Sequence, residues 1–115
     1  MLEKEIEKIL VSEVKKLGGR AYKWVSPGND GVPDRIVIFP NRPPVFVELK
    51  SESGRLTALQ DVQIKRIREL GQAVFVVRGM DGLSGFFHLA GYKETSRELD
   101  RRYGLQPAQA DGKDR

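Results

Sequence analysis

The chain contains no cysteine, so disulfides, cysteine–zinc sites and thiol catalysis are excluded, and a reducing intracellular setting is expected. Histidine occurs once, at His88, outside every motif found below, and is expected to be structural rather than a general base. No apolar stretch approaches membrane-spanning length, and the opening "MLEKEIEKIL" is too charged for a signal peptide; a cytoplasmic location is the expectation. An acidic excess is missing as well. Lys and Arg number 20 against 16 Asp and Glu, and the resulting charge of +4 with a pI near 9.5 favours a polyanionic partner. What is present is an ordinary globular balance over 115 residues, 39% hydrophobic and 31% charged, enough for one domain with one core.

Periodicity orders the chain. Leu2, Ile6, Ile9, Leu10, Val14 and Leu17 form a helical stripe that Gly18 and Gly19 terminate. "RAYKWV" reads as a short strand, and "SPGNDGVP" is dense in turn formers and reads as a loop. "DRIVIF" and "VFVELK" are strands joined by the short "PNRPP", hence antiparallel. Thr57 to Leu70 reads as a helix with Thr57 and Gln60 as a capping box and Gly71 as its stop. "AVFVV", Ala73 to Val77, is the most hydrophobic run, a buried strand expected parallel to its predecessor. "LSGFFHLA" and "KETSRELDRRYG" read as two further short helices, and residues from 105 onward as a disordered tail. The order α-β-β-β-α-β predicts an α/β domain with a mixed sheet flanked by helices.

Two of these strands carry charge where a core is expected. In "VFVELK", Phe46, Glu48 and Lys50 share one side; in "DRIVIF", Asp34 shares its side with Ile36 and Ile38. Both faces of both strands are largely apolar, as in central strands covered on both sides. A lone charge there costs several kcal/mol unless paired or bound to a cation. One reading leaves Glu48 and Lys50 as strand-end residues leaning into solvent. The other converges Asp34 and Glu48, with Lys50 one step along, into a hard-cation site suited to Mg²⁺ or Mn²⁺.

"PD" at Pro33-Asp34, followed after a hairpin's length by "ELK" at Glu48-Leu49-Lys50, resembles the PD-(D/E)XK nuclease signature. Within that superfamily the chain resembles the VRR-NUC (virus-type replication-repair nuclease) domain. The likeness rests on "EKEIEKILVSEVKKLGG", on Gly31 two residues before Pro33, and on "VELKSESGRLTALQ" and "ELGQAVFVVRG", about Glu3 to Gly79. It implies a restriction-endonuclease-like fold in a stand-alone, phage-type version without an accessory domain. It also implies that Asp34 and Glu48 ligate the divalent metal together with the Leu49 carbonyl, and that Lys50 positions or deprotonates the attacking water. The family's downstream glutamine falls on Gln60, which is equally the natural cap partner of Thr57. The family's helix-one glutamate aligns with Glu3. A helical wheel puts both Glu3 and Glu13 inside the apolar arc, with Glu7 at its rim; Glu13 is the competitor, or a salt-bridge partner.

Substrate contacts are sought among Lys15, Lys16, Lys23, Arg35, Arg55, Lys65, Arg66 and Arg68, with Lys23, Arg35 and Arg55 the leading phosphate contacts. Trp24, beside the glycine-rich loop, is placed either to stack on a base or to join the core. The resemblance implies branched DNA as the partner, four-way junctions before flaps, in the cytoplasm of a bacterial host. One site per small chain implies a homodimer for cutting two strands, with the adjacent phenylalanines of "LSGFFHLA" as a dimer patch or as a cap on the sheet. A DNA-binding module without catalysis, and a plain interaction domain, are the alternatives from other classes.

Overall fold

The computed structural model describes residues 1–106. The elements run α1 (Glu3–Lys16), β1 (Arg20–Lys23), β2 (Arg35–Ile38), β3 (Val45–Lys50), α2 (Ala58–Glu69), β4 (Val74–Arg78), α3 (Gly79–Leu89) and α4 (Lys93–Tyr103). The strands form one sheet in the order β1-β2-β3-β4. β1–β2 and β2–β3 are antiparallel, and β3–β4, joined across α2, is parallel. This is the mixed-sheet α/β fold expected from the sequence.

Strand alternation divides the apolar residues between two cores. Val37, Val47, Leu49 and Val77 face the larger one, where they meet Ile6, Leu10 and Val14 of α1 and Leu83 and Phe87 of α3. On the opposite face Phe46, Val74 and Val76 meet Ile64 and Ile67 of α2, with Trp24 alongside. That second face is only partly covered: Tyr22 and Ile38 remain exposed. The expectation that both faces of β2 are shielded therefore fails on this side, because the short α2 packs over β3 and β4.

The buried stripe of α1 begins at Ile6, a turn later than the periodicity implied, and Leu2 is solvent-exposed. The "LSGFFHLA" segment belongs to α3. Phe86 and Phe87 are 2% and 0% exposed, and the ring of Phe86 lies 5.1 Å from that of Phe75 and 6.0 Å from that of Phe39. The pair is core, so it cannot serve as a dimer patch. In α4, Leu99 enters the larger core. Ser84 donates to Asp100 Oδ1 at 2.6 Å and sits 2.8 Å from Ser96 Oγ, a buried polar tie that registers α3 against α4. Leu105 still packs on the larger core, and its N–H bonds the Asp100 carbonyl. The remainder of the expected tail, from 107, lies outside the described residues.

Candidate active site

The site is assembled where β2 begins and β3 ends, on the α2 face of the sheet. Pro33 is buried and delivers Asp34 at the threshold of β2. Asp34 Oδ2 accepts the Leu49 N–H at 2.7 Å, so the chain leaving β3 fixes the carboxylate entering β2. Glu48 is 1% exposed and Lys50 8%. The reading in which both lean into solvent is excluded. Lys50 Nζ lies 3.8 Å from Glu48 Oε2. Its stem is packed by Gly54, where a Cβ would stand 3.3 Å from Lys50 Cβ and Cδ.

Gln60 closes the cap of α2 and also contacts Glu48. Its Oε1 accepts the Thr57 N–H at 2.9 Å while Thr57 Oγ1 accepts the Gln60 N–H at 3.1 Å, closing the capping box. Its Nε2 donates to Glu48 Oε2 at 3.0 Å. Glutamate would satisfy a capping box as well, but only the amide has a donor to offer the buried carboxyl. The first turn of α2 is seated by Gly31, whose φ is +92° and where a Cβ would stand 2.6 Å from the carbonyl carbon and oxygen of Leu59. Only glycine permits both that conformation and that approach.

The electrostatics are those of two acids competing for one charge. Burial pushes the Glu48 carboxyl up to about 8, and the adjacent Asp34 charge adds to the rise; Lys50 opposes it, and Glu3 adds a smaller push. Burial also raises Asp34, against the Leu49 N–H, with Glu7 raising it further. Both carboxyls are pushed toward their neutral forms, Glu48 by the larger shift. Glu48 Oε1 is buried and receives no hydrogen bond. A buried acceptor with no donor calls for an explanation, and a cation is the partner that suits it. The oxygens of Asp34 and Glu48 form a hard donor set that fits Mg²⁺ or Mn²⁺.

The other expected residues divide. Glu3 is exposed, so its assignment to the buried face was wrong: the stripe of α1 starts beyond it. It still acts on Glu48 through its charge, yet among the described residues no group of three or more His, Cys, Asp or Glu is arranged to hold a metal. Glu13 is buried but accepts from Lys16 at 3.1 Å and Arg102 at 3.4 Å, a salt-bridge partner as one reading had it. Arg35 is tied to Glu7 at 2.8 Å and to the Ala21 carbonyl at 3.0 Å. Trp24 is half-buried with its ring 5.3 Å from that of Phe46, while Lys23 and Arg55 are exposed. Sequence reasoning passed over Glu7. Its signal was its place one helical turn after Glu3, at the rim of the apolar arc.

No family model matches the chain. Over 79 residues it is 49% identical to a protein named "Putative nuclease p44" from Acyrthosiphon pisum secondary endosymbiont phage 1; the match takes in 69% of this chain and 85% of that one. A solved structure described as a VRR_NUC domain superposes with a TM-score of 0.61 at 32% identity, covering 67% of this chain and 83% of its own. The chain belongs to the VRR-NUC family. The VRR-NUC resemblance drawn from "EKEIEKILVSEVKKLGG", Gly31, "VELKSESGRLTALQ" and "ELGQAVFVVRG" is thereby matched in structure over 67% of the chain. Among the described residues, no helix is long and apolar enough to cross a membrane.

Proposed function

We propose that this VRR-NUC chain is a metal-dependent endonuclease that hydrolyses DNA phosphodiesters at the Asp34–Glu48–Lys50 site. The observation that carries the reading is Glu48 Oε1, buried without a donor beside a second carboxyl. Asp34 and Glu48, with the Leu49 carbonyl, would hold Mg²⁺ or Mn²⁺. When bound, such an ion acidifies water and neutralises charge on a phosphoryl oxygen. The chain's own groups do the rest. The Leu49 N–H holds Asp34 in place and Gln60 holds Glu48. Lys50, buried along its stem, presents a fixed positive charge toward the attacking water and the phosphate. Water adds to phosphorus as the bond to one sugar oxygen breaks, leaving a phosphate end and a hydroxyl end.

Branched DNA is the proposed substrate, four-way junctions first, in phage replication and recombination in the cytoplasm of a bacterial host. The name and source of the phage relative support the setting. Two strands are cut by a homodimer with one site per chain. The test is cleavage of a labelled four-way junction and a matched linear duplex in Mg²⁺ or Mn²⁺, with Lys50→Ala as control. Metal-dependent incision that the control loses is the expected result. Binding without incision in either metal would instead identify a non-catalytic DNA-binding module.

A further inference from the structure

We propose that the open groove between α1 and β1 is a track for the phosphate backbone of nucleic acid leading away from the active site, an inference that rests on the nuclease reading and extends it. The groove has a volume of about 690 Å³, and its lining includes Lys4, Lys8 and Lys15 of α1, Lys23 of β1, and Arg35 with Glu7. At about 100° per residue the three α1 lysines fall within an arc of roughly 40°, one stripe running about 16 Å along the helix. Over that length a duplex strand passes about five phosphates.

A row of lysines is usually a solvated face, and on α2 and α4 several exposed cations are tied to acids of their own helix. Arg97 pairs with Glu94, Arg101 with Glu98, Lys65 with Asp61, each one turn away on its own helix. The α1 stripe is built differently. Among the described residues, Lys4, Lys8, Lys15 and Lys23 have no carboxylate within ion-pairing distance. The two acids near enough to serve are committed elsewhere, Glu7 to Arg35 and Glu5 to the Leu2 N–H. Lys4 and Lys8, like charges four residues apart, slightly destabilise the helix that carries them. Nothing in the fold requires this arrangement, and a polyanion offsets it.

The groove is also joined to the chemistry. Arg35 directly follows Asp34 and pairs across the sheet with Lys23. Glu7, held by Arg35, raises the Asp34 carboxyl through its charge. Alternation turns Arg35 to the α1 face and Asp34 to the α2 face, so a strand seated along α1 meets the site at the end of the sheet where β2 begins. An acidic protein would meet the same charges, but the continuity with a phosphodiester site selects nucleic acid.

The test is binding of a labelled 30-base-pair duplex and a four-way junction by the full chain in EDTA, where no cleavage occurs, across a series of salt concentrations. Lys4→Gln/Lys8→Gln/Lys15→Gln is compared with Lys93→Gln/Arg97→Gln/Arg101→Gln, which removes equal charge from α4. The groove variant should lose about tenfold or more in affinity and lower the salt slope by roughly 2 to 3, while the α4 variant changes little. Equal losses in both variants, retained affinity in the groove variant, or no binding by the unaltered protein in low salt would each overturn the proposal. Cleavage by the unaltered protein with Mn²⁺ is scored separately. Incision with groove-independent binding defeats the track alone, and groove-dependent binding without incision defeats the nuclease reading alone.

Discussion

Glu13 and Glu48 are the same residue at nearly the same burial, 6% and 1% exposed, and they differ in what surrounds them. Glu13 is met by Lys16 and Arg102, cations that reach it from the solvent side. Glu48 is met by an amide, by Lys50 at 3.8 Å and by a second carboxyl, and one of its oxygens has no donor. Burial of a carboxylate therefore does not mark function. What marks it is burial that the protein leaves unsatisfied. Glu13 ties α1 to α4, and Glu48 is left with an unpartnered oxygen.

The largest expected effect falls on chemistry. Glu48→Ala and Asp34→Ala should each reduce single-turnover cleavage by about a thousandfold or more, and the double variant should be little worse than either, since one metal site is lost once. Glu13→Gln should stay within a few-fold of the unaltered protein. An equal loss at Glu13 would erase the contrast between the two.

Gln60→Glu separates the two duties of that side chain. The capping box accepts glutamate, so the melting temperature should hold within a few degrees, while a further acid against Glu48 should lower cleavage by about a hundredfold. If stability and cleavage fall together, the amide is only a cap.

Gly31→Ala forces a side chain into a positive-φ position and against the Leu59 carbonyl. It should cost about 1–3 kcal/mol in denaturant unfolding and reduce cleavage through displacement of Gln60. A neutral outcome would show that the loop does not seat α2.

The smallest effect has opposite signs at the two carboxylates. In metal-free buffer the folded state keeps the Glu48 proton between its ordinary 4.5 and about 8, whereas the unfolded chain has lost it. Stability should therefore fall as pH rises through that window and level off above it. Glu48→Gln removes that slope and should gain about 1–2 kcal/mol at pH 8, as substitutions that relieve an active-site strain commonly do. Glu13→Gln should lose about 1 kcal/mol, because its two cations are partly exposed.

Much of this arrangement is legible in the residues. Alternation in "VFVELK" and "DRIVIF" places Asp34, Glu48 and Lys50 on one face, and the short "PNRPP" link brings them from antiparallel neighbours. Thr57 and Gln60 declare the start of α2. The rest depends on contacts that no local pattern records. Glu7 and Arg35 are 28 residues apart, and their pairing follows from how α1 lies on the sheet. Gly79 begins α3 directly after β4 with φ +63°, so no loop announces the helix, and the burial of Phe86 and Phe87 shows only once α3 is packed. Glu3 was misjudged because a helical wheel extends the apolar arc to the helix end, where no core remains to cover it.

The central claim, that Glu48 and Asp34 form one cation site, is tested most directly by thermal unfolding at pH 7 with and without millimolar Mn²⁺. The unaltered protein should gain several degrees, a concentration of a hundred times Kd being worth about 2.7 kcal/mol, and Glu48→Gln should gain almost nothing. An unaltered protein indifferent to Mn²⁺, or a Glu48→Gln variant stabilised just as much, would contradict it.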